Sequence, residues 1–164
     1  MSELGGVTTL REAAVELSVA PSGTRVLRFF FELPLNDAWV LLPGLSDHAS
    51  RIAAWHSEED GSFVAGGVAW EATLEGESRF RQASEAWENL KSQCIQVAAL
   101  DQDKALPFCL SGFAFSHDTP GTADWEGWGD GRLWLPEWVV ARVGETCRAV
   151  LNARIVESDD TNAI

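Results

Sequence analysis

Residues 146–156, TCRAVLNARIV, alternate more cleanly than any other segment of the chain. Cys147, Ala149, Leu151, Ala153 and Ile155 fall on one side, and Thr146, Arg148, Asn152 and Arg154 on the other. Successive strand residues point to opposite faces of a sheet, so this segment reads as a β-strand with one face turned to a core. A strand needs partners, and several candidates precede it. RVLRFFFEL (25–33) alternates through Leu27, Phe29, Phe31 and Leu33. WVLL (39–42) and RIAAWHS (51–57) read as short strands, with EEDG (58–61) as a turn after the second.

SFVAGGVAWEATL (62–74) reads as one longer strand. Gly66 and Gly67 stand in its middle, where a strand normally avoids glycine, so a bulge or a close backbone approach is expected there. PFCLSGFAFS (107–116) is a further strand, and LWLP and WVVARV are short strand pieces. Asp130-Gly131 carries the two-residue signal of a tight hairpin, and Gly144-Glu145 turns the chain into the last strand.

Two helices complete the pattern. Thr9-Leu10-Arg11-Glu12 fits a capping box that opens a short helix, ended by Pro21-Ser22-Gly23. In the second, Ser78 is a candidate cap and Phe80, Ala83, Trp87, Leu90 and Cys94 form one apolar stripe. About eight strands in runs with short turns and two helices predict an α+β fold, a largely antiparallel sheet with flanking helices. The expected organisation is an N-terminal helix region (1–20), a sheet plus helix 78–94 (21–156) and a polar tail (157–164).

With 164 residues the chain is long enough for one domain with a real core. No apolar run approaches a membrane span, and the N-terminus lacks the pattern of a signal peptide, so a cytoplasmic location is expected. Cys94, Cys109 and Cys147 are odd in number and lack CxxC spacing, which points to buried free thiols rather than disulfides or zinc ligands. The net charge is −13, from 25 acids and 12 bases. Such a chain repels nucleic acid and anionic membranes, so neither is an expected partner.

The sequence shows no P-loop, GxGxxG, GxSxG or HExxH. His48, His56 and His117 are isolated, and DQD (101–103) lacks the glycine and terminal glutamate of a calcium loop. No catalytic constellation and no metal site emerges from the residues. What remains is aromatic: DWEGWGDGRLWLPEW (124–138) holds Trp125, Trp128, Trp134 and Trp138. Trp134 and Trp138 flank a proline among apolar neighbours and read as internal. Trp125 and Trp128 are the candidate contacts for an interface or a ligand.

Several segments, taken in order, resemble the early region of chorismate-utilising enzymes, above all isochorismate synthases. Trp55 precedes a short charged turn, then come Gly66-Gly67 with Ala69, and a helix with Phe80, Ala83, Trp87 and Leu90. Downstream, Gly112, Phe113, Ala114 and Phe115 resemble the family's "GGFaFd" strand, with Ser111 in place of its first glycine. Trp125, Trp128 and LWLPEWVV follow in the family's order. The resemblance implies a parent enzyme that converts chorismate to isochorismate with Mg2+, for menaquinone or siderophore synthesis.

The family's catalytic residues belong to a later part. Lys91 lies in the helix and Lys104 in a loop, and neither stands in a "KVVLAR"-like strand. No catalytic residue carries over, and no cofactor is expected for this chain by itself. Chorismate is a dianion, and the sequence shows no cationic cluster to receive it. The chain is therefore expected to be an N-terminal scaffold segment, inactive alone, whose partner is the catalytic half of the same enzyme or a second copy of itself. The rival readings are a stand-alone binding module with a tryptophan platform and a non-catalytic partner subunit. A separated half is expected to leave open strand edges and exposed apolar surface.

Overall fold

A computed structural model describes residues 25–45, 50–57, 61–96, 109–116 and 127–155. The expected helix at 9–20 and the polar tail lie outside them. In chain order the elements are β1 (Arg25–Leu33), a 3-10 helix (Ala38–Gly44), β2 (Ile52–Ser57), β3 (Gly61–Gly66), β4 (Trp70–Leu74), α1 (Arg79–Gln93), β5 (Cys94–Gln96), β6 (Leu110–Phe113), β7 (Gly131–Leu135), β8 (Trp138–Val143) and β9 (Thr146–Ile155). They form a six-stranded sheet in the order β2-β3-β8-β9-β1-β5 and a three-stranded sheet in the order β4-β7-β6. Every pairing is antiparallel except β1 with β5. The fold is α+β and mostly antiparallel sheet.

The two sheets share one strand pair. β3 continues into β4, and β7 into β8, so the pair crosses from one sheet to the other at a single junction. Gly66 pairs with Trp138 and Trp70 with Leu135. Three residues, Gly67 to Ala69, thus oppose two, Pro136 and Glu137, which is a bulge. The expected single strand 62–74 is broken there. The glycines permit the crossing: a Cβ on Gly66 would lie 2.3 Å from the Trp138 ring, and one on Gly67, at φ 71°, would lie 2.2 Å from the Glu137 carboxylate.

WVLL is not a strand. Asp37 caps a 3-10 helix instead, accepting from the Trp39 amide at 3.0 Å. The helix seats Leu41 and Leu42, with Leu35 and Leu45, on a cluster of Ala38, Val64, Val140, Cys147 and Ala149. The spacing of Ala38, Leu41, Leu42 and Leu45 behind Asn36-Asp37 is the helical signal that competes with β-propensity here.

Asp130-Gly131 is not a hairpin turn either. Gly131 begins β7, and a Cβ on it would lie 2.8 Å from the Phe113 ring, so its glycine serves close packing. The Asp130 carboxylate accepts from the Gly76 amide at 2.6 Å, and its carbonyl accepts from the Ala114 amide at 2.9 Å. The expected turn at Gly144-Glu145 does form: Val143 pairs with Thr146 across it, and Gly144 has φ 68°.

α1 packs Leu90 beside Val26, Ala69 and Leu135, and Ala83 beside Leu74 and Leu133. Trp87 is half-buried between these clusters, as the stripe predicts. Phe80 departs from the stripe: it is exposed and stacks on Phe113 with centroids 4.8 Å apart. The even alternation of β9 also breaks. Val150 and Asn152 are buried on the face opposite Cys147 and Ala149, so both faces carry core at mid-strand, while Leu151 is 44% exposed. Val150 and Ala141 pack with Phe30 and Phe63 on the face opposite the 3-10 helix.

Candidate functional site

The described part of the tryptophan-rich segment leads to the sheet junction. β4 and β7 pair Glu71 with Trp134 and Thr73 with Arg132, which puts all four side chains on the face away from α1. Arg51, just before β2, reaches the same place because its carbonyl accepts from the Gly67 amide at 3.0 Å. Trp128 comes from the segment leading into β7.

These side chains form an alternating stack. The Arg51 guanidinium lies 5.2 Å from the centre of the Trp134 ring and 5.8 Å from that of Trp128, and Arg132 lies 5.2 Å from the Trp128 ring. Both arginines also converge on one carboxylate oxygen, Glu71 Oε2, at 2.9 and 3.5 Å. Arg132 donates further to the Gly127 carbonyl. Trp134 is 6% exposed, and its Nε1 donates to the Gly67 carbonyl at 2.7 Å. Trp128 is 38% exposed. A cation held over an indole face is stabilised by the ring quadrupole, so the stack fixes Trp128 in place with part of its surface open.

Trp134 is therefore internal, and Trp138 packs against the cluster under the 3-10 helix. Trp125 lies outside the described residues, so only Trp128 of the two candidate contacts is placed. The sequence reading found no cationic cluster, yet the fold joins Arg51 and Arg132 on one carboxylate. No local signal could show this, since the pairing depends on strand register at the junction.

The thiols are free. Burial raises all three, and pushes Cys109 up to about 11; its Sγ donates to the Trp134 carbonyl at 3.3 Å. Burial likewise lowers the Arg28 guanidinium to about 10. Arg28 Nε donates to Asn152 Oδ1 at 3.2 Å, and Asn152 Nδ2 donates to the Pro136 carbonyl at 2.7 Å, which braces the junction from the side of β1. Among the described residues no three His, Cys, Asp or Glu side chains stand together as metal ligands. Nor, among them, is any helix long and apolar enough to cross a membrane.

Compared with known protein families, residues 14–164 match the family described as chorismate binding enzyme. The chain belongs to that family. No curated protein matches it. The family match spans the whole of both sheets, so the junction and its stack are part of a chorismate-binding enzyme fold.

Chemically the cluster is largely closed on itself, although the buried Arg132 Nε has no hydrogen-bond partner. Its two guanidiniums are engaged by Glu71 and by indole faces. It does not suit Mg2+ either, because its one carboxylate is ion-paired twice and a divalent cation of this kind wants several oxygen ligands.

Proposed function

We propose that the chain is the N-terminal scaffold half of an isochorismate synthase-like enzyme, acting in the cytoplasm and inactive by itself. The observation that carries this reading is the state of the arginine pair. The two cations that the fold brings together in this family member are spent on Glu71, Trp128 and Trp134, which braces the junction between the sheets. The order of motifs supports the wider family, and the resemblance to isochorismate synthases above all supplies the choice within it.

In the parent enzyme water is added at C2 of chorismate and the C4 hydroxyl is lost. Magnesium supplies charge neutralisation at the substrate carboxylate there, held by the catalytic half. The chain's own part is to bury apolar surface against that half. Phe80 and Phe113, stacked on each other, and the fully exposed Phe115 supply such surface beside β6, which is an edge of the smaller sheet among the described residues.

The test is an assay of the purified chain with chorismate and magnesium, with isochorismate followed by chromatography. The expected result is no turnover alone and turnover when a catalytic half is supplied. Turnover at enzymatic rates by the chain alone overturns the proposal.

A further inference from the structure

Among the described residues, three buried guanidinium nitrogens have no hydrogen-bond acceptor: Nε of Arg79, Arg132 and Arg148. Arg132 and Arg148 are ion-paired all the same, with Glu71 and Glu32, each at 3.5 Å. Arg79 is not. It is the first residue of α1 and is 8% exposed. No carboxylate among the described residues pairs with it, Glu77 of the preceding turn included. Asp130 reaches that turn but gives its carboxylate to the Gly76 amide at 2.6 Å. Arg79 touches a carbonyl and a ring instead. Its Nη1 donates to the Gly76 carbonyl at 3.2 Å, and its guanidinium lies 4.7 Å from the centre of the Phe80 ring. A buried charge is costly unless it is paired, so this cation is left in deficit.

The helix end deepens the deficit. The leading amides of a helix carry partial positive charge and are ordinarily met by a cap or an acid. α1 has no acidic residue in its first turn, and Ser78 makes no side-chain capping bond. The Ser78 hydroxyl accepts from Gln82 Nε2 at 2.6 Å instead. The Arg79 amide donates to the Gly76 carbonyl at 3.2 Å, the same oxygen that receives Nη1. The guanidinium and the helix terminus thus converge on one turn, 76–79, and both are positive.

We propose that this turn binds a small oxyanion, a carboxylate or phosphate group, with Arg79 as its cation. Nη1 is occupied by Gly76. Nε and Nη2 form the other edge of the planar group, and two parallel donors match two oxygens of one ligand. The terminus of α1 adds its amide dipoles, as helix N-termini do for anions. A monatomic anion cannot span both donors, so the geometry selects an oxyanion over chloride. Phe80, itself exposed and stacked on Phe113, covers the guanidinium from one side. Keeping water from that side strengthens the attraction between cation and ligand. The charge of −13 on the chain repels any anion, so the affinity is modest, with a Kd of about 1 mM.

This inference goes beyond the scaffold reading and does not depend on it, because its readout is ion binding and not turnover. The test titrates the full nitrogen-15-labelled chain with sodium phosphate and, separately, with sodium acetate, each against sodium chloride at equal ionic strength. Nuclear magnetic resonance follows the Arg79 Nε–H and the amides of Gly76, Ser78 and Phe80. At least one oxyanion is expected to shift these signals to saturation, and chloride is not. The oxyanion that saturates at the lower concentration distinguishes a phosphate site from a carboxylate site. Arg79→Met is expected to weaken binding by about tenfold or more. Arg81→Met, which removes an exposed guanidinium paired with Glu85, is expected to leave it unchanged. The wild-type titration stands whether or not a variant folds. Signals that do not move, or that move without saturating with both oxyanions, overturn the proposal. So does saturation that survives Arg79→Met in a folded chain, which places the anion elsewhere.

Discussion

A methyl group added at Gly66 has nowhere to go. Its position lies 2.3 and 2.7 Å from two atoms of the Trp138 indole, well inside contact distance. Gly66→Ala is expected to destabilise the chain by about 1–3 kcal/mol, the usual cost of overpacking a closed site, measured by urea unfolding. Trp138→Leu in the same chain is expected to recover part of that loss, since the clash is with the ring. The glycine pair was legible in the sequence as a bulge or a close approach, and it is both. What approaches it was not legible, because Trp138 and Glu137 arrive through strand register and not through local pattern. The cysteines teach the same lesson from the other side. Their scatter announced free thiols, and burial then sets their chemistry. With Cys109 raised to about 11 and Cys94 and Cys147 raised as well, none is appreciably thiolate at neutral pH. Titration with a disulfide reagent near pH 8 is expected to be slow in the folded chain and fast for all three thiols in urea. A fast native thiol contradicts the burial drawn here.

At the scale of elements, the 3-10 helix shows how propensity loses to a cap. Trp39, Val40, Leu41 and Leu42 favour strand by composition. Asp37 ties the Trp39 amide and accepts from the Ser62 hydroxyl at 3.1 Å, and the leucines then find the core at helical spacing. The Trp39 amide holds the Asp37 carboxyl below the ordinary carboxylate range, aided by Ser62, His56 and Arg142 and partly offset by burial. A carboxyl depressed in the folded state contributes stability above its unfolded pKa, and loses it as pH falls through the folded one. Asp37→Ala is therefore expected to lower the melting temperature at pH 7, with a deficit that shrinks under acid conditions. Thermal unfolding of both chains across pH 2–7 (an acid range of about this width brackets carboxylate titration) checks it. α1, by contrast, was legible almost to its ends, because its stripe of Ala83, Trp87 and Leu90 has the right period and Leu90 is fully buried. Leu90→Ala is expected to cost about 2–5 kcal/mol, as for a large-to-small change in a packed core.

At the scale of the whole molecule, fold class could be read but the sharing of one strand pair between two sheets could not. Alternation reports which residues share a face. It does not say that β9 is covered on one face at Cys147 and Ala149 and on the other at Val150 and Asn152 while Leu151 stands open, nor that Arg51 and Arg132 meet. Charge, unlike register, is fully legible, and it yields a prediction with a definite sign. The surplus of 13 negative charges acts over the entire surface and destabilises the compact state by self-repulsion. Working against it are ion pairs such as Arg51–Glu71 at 2.9 Å, Arg81–Glu85 at 2.9 Å and Lys91–Glu88 at 2.8 Å, all at least partly exposed. Pairs of this kind contribute about 0–1 kcal/mol each. Salt screens both effects. Were the pairs dominant, sodium chloride would lower the melting temperature. Because the diffuse repulsion involves many more charges than the pairs do, relief of repulsion wins, and the melting temperature is expected to rise with salt. For a domain of this size each kcal/mol gained corresponds to about 2–4 °C. Scanning calorimetry in sodium chloride at several protein concentrations separates this intramolecular gain from any due to association. A rise that does not depend on protein concentration is electrostatic relief within one molecule, and a fall means that the local pairs, not the net charge, govern its stability.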